Sequence, residues 1–155
     1  MASAYMVFAT GHCPLALPVG AIDRVQEIQQ AMAIPGAATA IRGLAVVAGR
    51  SQLVTRVDSL LSTGVPARSS LHDTAPIWVA LNGSGDGLIL EIEGPFAFTA
   101  GGSATPRPAA TAAICHRGEQ LGTTATGIIS VPRLLLAVRR SSGPLAQPQT
   151  VVLAS

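Results

Sequence analysis

Lysine is absent from this sequence, and charged residues of either sign are scarce. All ten basic residues are arginine, charged residues make up 12% of the chain, and the formal net charge is +2. The only adjacent basic pair is Arg139-Arg140. A surface that binds nucleic acid needs several clustered basic side chains to contact successive phosphates. The sequence therefore argues against a nucleic-acid partner.

Cysteines are also few, and long apolar runs are missing. Cys13 and Cys115 are the only two cysteines, which is not the dense disulfide set of a small secreted domain. The N-terminus has no positive region ahead of an apolar core, so we expect no secretory signal. No stretch approaches the roughly 18 unbroken apolar residues of a membrane span. We therefore expect a cytoplasmic protein without direct membrane insertion.

Short apolar runs punctuated by glycine and proline are what the chain does contain. They recur about every ten residues, a spacing typical of strands in a small barrel or sandwich. The predicted fold class is therefore mainly β. Strands are expected near residues 4–10, 14–18, 43–48, 51–57, 76–82, 87–92, 94–99, 111–117 and 123–129.

Helical signals are few and short. Residues 19–30 carry apolar side chains at three-residue steps, which predicts a helix there. A brief turn is expected over 58–61. Residues 131–138 predict a closing helix, with Ser130 as N-cap and Pro132 tolerated in the first turn.

The length of 155 residues fits one ordinary domain. Residues 62–75 are a polar connector that splits the chain into two strand-rich halves, and 101–110 is a second loop. We expect a single domain over 1–140 and a C-terminal tail over 141–155. Within the domain we expect one subdomain at about 15–65 and another at about 76–130, with exchanged terminal elements.

Two pairs of residues resemble metal ligands, namely His12-Cys13 and Cys115-His116. Adjacent strand side chains point to opposite faces, and zinc sites normally use a spacer of two to four residues. We therefore predict no metal site; a histidine in a turn and buried thiols explain the residues.

A histidine and an aspartate with nearby serines, His72-Asp73 with Ser69 and Ser70, lie in the polar connector. No Gly-x-Ser-x-Gly elbow accompanies them, so a solvated loop is favoured over a hydrolase site. No catalytic residue is predicted.

The glycine-rich stretch Asn82–Gly87 joins strand to strand, whereas a phosphate cradle needs a following helix. We interpret it as a hairpin turn, and we predict no cofactor. Glu91 and Glu93 are two apart on a predicted strand and share one face. A solvated outer face is favoured over paired acid–base chemistry.

The order of these pieces resembles the chemotaxis coupling protein family (CheW-like). An apolar "ALPV" segment, a Val-x-x-Val-like step, a proline turn and a "GLxNLRG" segment follow one another, and later strands are similar to the family's "vGLlVDeV" and terminal "LDldrLL". The matching residues are Leu15–Val19, Ile22–Val25, Ile34–Gly36, Gly43–Gly49, Ile77–Leu81, Gly87–Glu93 and Gly127–Leu135.

The resemblance implies two small five-stranded, SH3-like β-barrels that share one core, with short helices. It also implies a non-enzymatic adaptor that couples the cytoplasmic tip of a chemoreceptor to the regulatory domain of the histidine kinase CheA. A receptor helix would lie in a groove lined by Ile22 and Val25, and the kinase would dock against the strand pair 43–56. The implied partner-binding residues are Ile22, Arg24, Val25, Arg42, Val46, Ala48, Arg50 and Arg56.

Most of the polar residues in the family's motifs are replaced in this sequence. Arg24 stands where the family has an acidic residue, Val46 and Ala48 replace the Asn and Arg of "NLRG", and Arg56 replaces the Asp of "PVVDL". Reversed charges on a docking face oppose the usual partner. Two hypotheses follow: a partner of complementary charge, or a diverged module that has lost kinase coupling and serves self-assembly or another partner. A small β-barrel enzyme is a third.

Overall fold

The computed structural model describes residues 3–10, 13–61, 76–93 and 95–141, and within them eleven strands and one α-helix. The predicted mainly β fold class is confirmed. The elements are β1 (Ala4–Phe8), β2 (Leu15–Pro18), β3 (Ile22–Glu27), β4 (Ile41–Val47), β5 (Arg50–Arg56), β6 (Ile77–Leu81), β7 (Leu88–Ile92), β8 (Phe96–Ala100), β9 (Ala104–Thr105), β10 (Cys115–Leu121), β11 (Thr124–Ile129) and α1 (Val131–Ser141).

The helix predicted over 19–30 is wrong. Val19–Ala21 is a 3₁₀ turn, and Ile22–Glu27 is the strand β3. A bulge between Ile22 and Arg24 adds one residue to the strand. Because of that extra residue, the side chains of Ile22 and Val25 lie on the same face of the sheet although they are three positions apart. The resulting three-residue spacing of apolar side chains resembles that of an amphipathic helix.

The strand predicted at 111–117 begins later than expected. Ala109–Thr111 is a 3₁₀ turn, and β10 runs from Cys115 to Leu121. The short strand β9 was not predicted. The turn predicted at 58–61 is present as a 3₁₀ turn over Asp58–Leu60.

The closing helix is confirmed and extends further than predicted. The amide of Leu134 donates to the Ser130 carbonyl at 2.9 Å, and the amide of Arg133 lies 3.5 Å from the Ser130 hydroxyl oxygen. Ser130 therefore lies at the N-cap, where its side chain satisfies a donor of the first turn.

The strands form two sheets. The six-stranded sheet has the order β8-β1-β2-β11-β10-β9, and the five-stranded sheet has the order β3-β6-β7-β5-β4. Each contains one parallel pair, β2 with β11 and β5 with β7. Both sheets take strands from both halves of the sequence, because β3 pairs with β6 and β2 with β11. The limits of the two subdomains stay a prediction, and residues 142–155 of the predicted tail lie outside the described residues.

Both sheets curl so that their end strands approach each other. In the six-stranded sheet, only residues 101–103 join β8 to β9. Six flat strands would place those ends about 24 Å apart, whereas such a link spans at most about 14 Å. In the five-stranded sheet, Met32 follows β3 closely and pairs with Leu44 of β4, the opposite end strand. One bent segment thus ties the two ends of each sheet, as a small barrel requires.

The two sheets repeat one strand plan. Strands β8, β1, β2, β11 and β10 correspond to β3, β6, β7, β5 and β4, with the same directions of pairing. A bulge falls at the same place in β10 and in β4. The registers make these residues equivalent: Tyr5 and Trp78, Met6 and Val79, Phe8 and Leu81, Phe96 and Ile22, Phe98 and Val25.

A main core is shared by the two sheets and α1, and it includes Met6, Phe8, Leu90, Ile129 and Leu134. The opposite face of each sheet packs a smaller cluster of its own, around Trp78 in one sheet and Tyr5 in the other. Successive strand residues alternate between the two cores. Strands such as β7 are therefore buried throughout.

Candidate protein-interaction surface

Ile22 and Val25, the residues expected to line a receptor groove, lie on β3 at the margin of the main core. Both side chains are half-buried and pack against that core. Their partners across the strand pair are Leu81 and Val79, which are fully covered. Each of the two side chains therefore packs against the main core on one side and exposes apolar atoms to solvent on the other.

Four of the predicted partner-binding residues are arginines, and each has an internal ion pair. Arg24 lies 3.8 Å from the neighbouring Asp23. Arg50 forms two hydrogen bonds of 3.0 Å to Asp86. This guanidinium holds the pKa of the Asp86 carboxyl below its ordinary value. The charge of each arginine is thus partly satisfied before any partner arrives.

Arg42 and Arg56 share one buried carboxylate, Glu91. The Nε atoms of Arg42 and Arg56 lie 3.6 and 3.7 Å from the two carboxylate oxygens. The indole N–H of Trp78 donates to Glu91 Oε1 at 3.0 Å. Glu91 is only 8% exposed, so the predicted solvated face is wrong at this position. Glu93, beyond the end of the strand, is exposed as predicted.

Arg56, which stands where the resemblance implies an acidic residue, belongs to this arrangement. Arg56 lies directly across the parallel strand pair from Glu91, and Trp78 lies across the antiparallel pair. A buried carboxylate needs a cation and hydrogen-bond donors around it. The positive charge of Arg56 therefore serves the five-stranded sheet itself.

Val46 and Ala48, at the end of β4, point into solvent. Val46 is 67% exposed. Ala48 and Gly49 form the two-residue turn between β4 and β5, and both have positive φ values, 53° and 76°. Such turns match the twist of a hairpin, and glycine or asparagine normally fills them. Alanine carries a steric penalty there.

We expect Ala48→Gly to raise the free energy of unfolding by about 1 kcal/mol, because it removes the clash of a Cβ atom in the left-handed region. Urea denaturation of both proteins measures the difference. Gly20→Ala is the control, because an added Cβ there meets open space at an ordinary φ. A destabilised Ala48→Gly protein would contradict the turn geometry.

Exposed apolar side chains form a patch along β4, an end strand of the five-stranded sheet, and the segment that pairs with it; it is here called the β4 patch. It consists of Met32, Ile34, Leu44 and Val46. Met32, 74% exposed, is bonded to Leu44 through both backbone groups. Gly43 makes that approach possible, because a Cβ on it would collide with the Met32 carbonyl. Large apolar side chains grouped in this way mark interaction surfaces.

A second patch lies on β8, here called the β8 patch, and consists of Phe96 and Phe98. The rings meet edge to face with centroids 6.1 Å apart, and Phe98 is 57% exposed. Their cross-strand partners Phe8 and Met6 belong to the main core. The β8 patch thus lies on the face of the main core, beyond its margin, and corresponds in the repeated plan to Ile22 and Val25.

Sequence reasoning missed the β8 patch, although it predicted a strand at 94–99. The signal was present: two phenylalanines alternate with alanine, and no charged residue lies between Glu93 and Arg107. A buried strand gives the same pattern. Only the position of β8 at the end of the sheet exposes these rings.

The six-stranded sheet contains a polar cluster like that of Glu91. Tyr5 donates to Glu119 at 2.6 Å, Arg117 donates to both, and the amide of Gly102 donates to the other carboxylate oxygen at 3.1 Å. Burial alone would raise the pKa of Glu119, but these donors outweigh it and hold the pKa below its ordinary value. Both carboxylate oxygens of Glu119 and the Tyr5 hydroxyl have hydrogen-bond partners, which indicates a structural role for the cluster.

Of the two cysteine–histidine pairs, the structure describes Cys13, Cys115 and His116, and no three histidine, cysteine or acidic side chains converge in the described part of the chain. Burial raises the pKa of the Cys115 thiol to about 11 and also raises that of Cys13. His12, His72, Asp73 and the connector serines lie outside the described residues. Within the described ranges, no helix is long and apolar enough to span a membrane.

The fold resembles that of a protein of known structure. No family model matches the sequence, and no curated protein matches it. Among solved structures, the chain is similar to the scaffolding protein CheW from Thermoanaerobacter tengcongensis, with a TM-score of 0.69. The likeness covers 84% of this chain and 85% of that one.

The chain has a CheW-like fold. The sequence identity to the Thermoanaerobacter protein is 17%, so the likeness is one of fold. The CheW-like fold predicted from the order of the segments is confirmed. The roles of individual docking residues stay predictions.

Proposed function

We propose that this protein is a non-enzymatic adaptor of a chemotaxis-type signalling system, acting in the cytoplasm between a chemoreceptor and a CheA-type histidine kinase. The CheW-like fold across most of the chain is the observation that carries this proposal. A small barrel is filled by its own side chains, so outer surfaces are what it offers to partners. The β4 and β8 patches are apolar surfaces of that kind.

The proposed kinase-docking surface is the β4 patch with the hairpin of β4 and β5. Leu44 and Val46 alternate with the buried Ala45 and Val47 along the strand, so one face of β4 is free for a partner. Arg42, Arg50 and Arg56 surround this hairpin, but each already has a carboxylate partner. Apolar contact, rather than attraction between opposite charges, therefore provides most of the binding free energy.

The proposed receptor-docking surface includes Ile22 and Val25 and, by the repeat of the strand plan, Phe96 and Phe98. All four lie on the face of the main core, at or beyond its margin. An amphipathic helix inserts apolar anchors spaced three or four residues apart into such a surface. Arg24, exposed beside Ile22, lies at the rim, where charges affect the rate and specificity of association.

Pairwise titration tests the proposal. The purified chain is titrated by calorimetry against the cytoplasmic tip of a receptor and against the regulatory domain of a kinase from the same cell. We expect saturable binding of each with a negative heat-capacity change, the signature of apolar burial. Absence of binding to both, together with a mass that rises with protein concentration, would contradict the adaptor and favour a self-assembling module.

A further inference from the structure

Three basic side chains gather where β10 begins. The guanidinium of Arg107 donates through Nη1 to the Cys115 carbonyl at 3.0 Å. That of Arg133, in the first turn of α1, donates through Nη1 to the Ala112 carbonyl at 3.1 Å. His116 follows Cys115 immediately and is exposed. Two arginines far apart in sequence are therefore held against the same short segment.

These two arginines differ from those of the five-stranded sheet. In the described part of the chain, neither Arg107 nor Arg133 has a carboxylate within 4.0 Å, whereas Arg42, Arg50 and Arg56 each do. Each uses one Nη atom to contact a carbonyl. The remaining N–H groups can bind a carboxylate by a paired, charge-assisted contact.

The pKa of the His116 imidazole depends on the charges around it. Its pKa is lowered first by partial burial and then by Arg117, Arg133 and Arg107; Glu119 opposes this change. Glu119 is itself bonded to Arg117 and Tyr5. The described groups around the imidazole thus carry a net positive charge.

This concentration of positive charge costs stability. Like charges repel, and a cation in the first turn of a helix is opposed by the helix dipole. The hydrogen bonds to Ala112 and Cys115 could be made by neutral donors. An exposed cluster of like charges suits a ligand of opposite charge.

We propose that Arg107, His116 and Arg133 form a docking site for an acidic segment of a partner protein, in which side-chain carboxylates contact the two guanidiniums. The cluster is compact, whereas nucleic acid needs basic groups that follow successive phosphates along a strand. Neither the β4 patch nor the β8 patch supplies a residue to this cluster, so this inference does not depend on the proposed adaptor function.

A fluorescent hexaglutamate peptide is the probe, with hexaglutamine as the neutral control, and binding is followed by anisotropy at low ionic strength. The test variant is Arg107→Gln with Arg133→Gln. The matched control is Arg139→Gln with Arg140→Gln, which removes the same charge from the other end of α1. We expect the test variant to weaken binding about tenfold and the control variant to leave it within about twofold.

A second readout is the His116 pKa, followed by NMR, with the signal assigned through His116→Gln. We expect hexaglutamate to raise this pKa, because carboxylates placed beside the imidazole favour its charged form. Arg107→Lys with Arg133→Lys keeps the charge and serves as a second variant if the glutamine variant does not fold; weaker peptide binding by it supports paired contacts.

Three results would overturn the proposal. Equal losses in the test and control variants would mean that only net charge attracts the peptide. Displacement of the peptide by an equal concentration of inorganic phosphate would mean a site for small anions. Tighter binding of a DNA duplex than of hexaglutamate, lost in the same variant, would mean a nucleic-acid surface.

Discussion

Replacing Glu91 with alanine is expected to lower the free energy of unfolding by about 3 kcal/mol. The change leaves the buried indole N–H of Trp78 without its acceptor, which costs about 1–3 kcal/mol. It also opens a cavity against the small core of the five-stranded sheet. Arg42 and Arg56 lose their shared carboxylate, but both are exposed enough to turn toward water.

Glu93→Ala is the matched control, because Glu93 is exposed just beyond the same strand and its loss should change stability by less than about 0.5 kcal/mol. Glu91→Gln keeps the shape and an acceptor for Trp78, so we expect a loss of only about 1 kcal/mol. Chemical denaturation measures all three. Equal effects of Glu91→Ala and Glu93→Ala would show that the Glu91 cluster contributes nothing.

A double-mutant cycle between Arg56→Gln and Glu91→Gln tests the account of the reversed charge. We expect a coupling energy of about 0.5–1 kcal/mol, since the pair is half-exposed on the arginine side. When the same four proteins are compared in binding to the kinase regulatory domain, the coupling energy should be zero. Coupling that appears only in binding would assign Arg56 to the partner instead.

Replacing Val46 with glutamate is expected to weaken binding of the kinase regulatory domain by about 30-fold or more. Val46 lies at the exposed end of the β4 patch, and an unpaired charge buried in an apolar interface costs about 2 kcal/mol or more. Stability should change by less than about 0.5 kcal/mol, because the side chain points into water in the free protein. Calorimetric titration and thermal unfolding separate the two effects.

The control for this experiment is Thr123→Glu. Thr123 lies in the turn between β10 and β11, the equivalent hairpin of the six-stranded sheet, and is exposed. The Thr123→Glu substitution adds the same charge on the other sheet, outside the β4 patch. Equal losses in the two variants would indicate general charge repulsion and would contradict docking at the β4 patch.

The sequence was sufficient to predict most strands, the closing helix and the CheW-like order of segments. Alternating apolar residues such as those of β4 follow directly from a half-buried strand. The error at β3 has a local cause: the bulge between Ile22 and Arg24 gives the strand a three-residue spacing. A bulge leaves no signal in the composition that would distinguish such a strand from a short helix.

The Glu91 cluster could not be predicted for a different reason. Its members come from β4, β5, β6 and β7, and the pairing of those strands joins residues distant in sequence. The sequence pattern at Glu91 is therefore the same as that of a solvated carboxylate, and only the strand pairing places Trp78 and Arg56 on either side of it. The β8 patch could not be predicted for the same reason, because only the strand order shows that Phe98 lies on an end strand.

The two proposed docking surfaces are separate, and sedimentation of a three-component mixture tests this separation most directly. The chain, a receptor tip and the kinase regulatory domain should form one complex heavier than either pair. Val46→Glu should lose only the kinase domain, and Phe98→Glu only the receptor tip. If the two partners displace each other, or if one substitution abolishes both contacts, the separation of the surfaces is wrong.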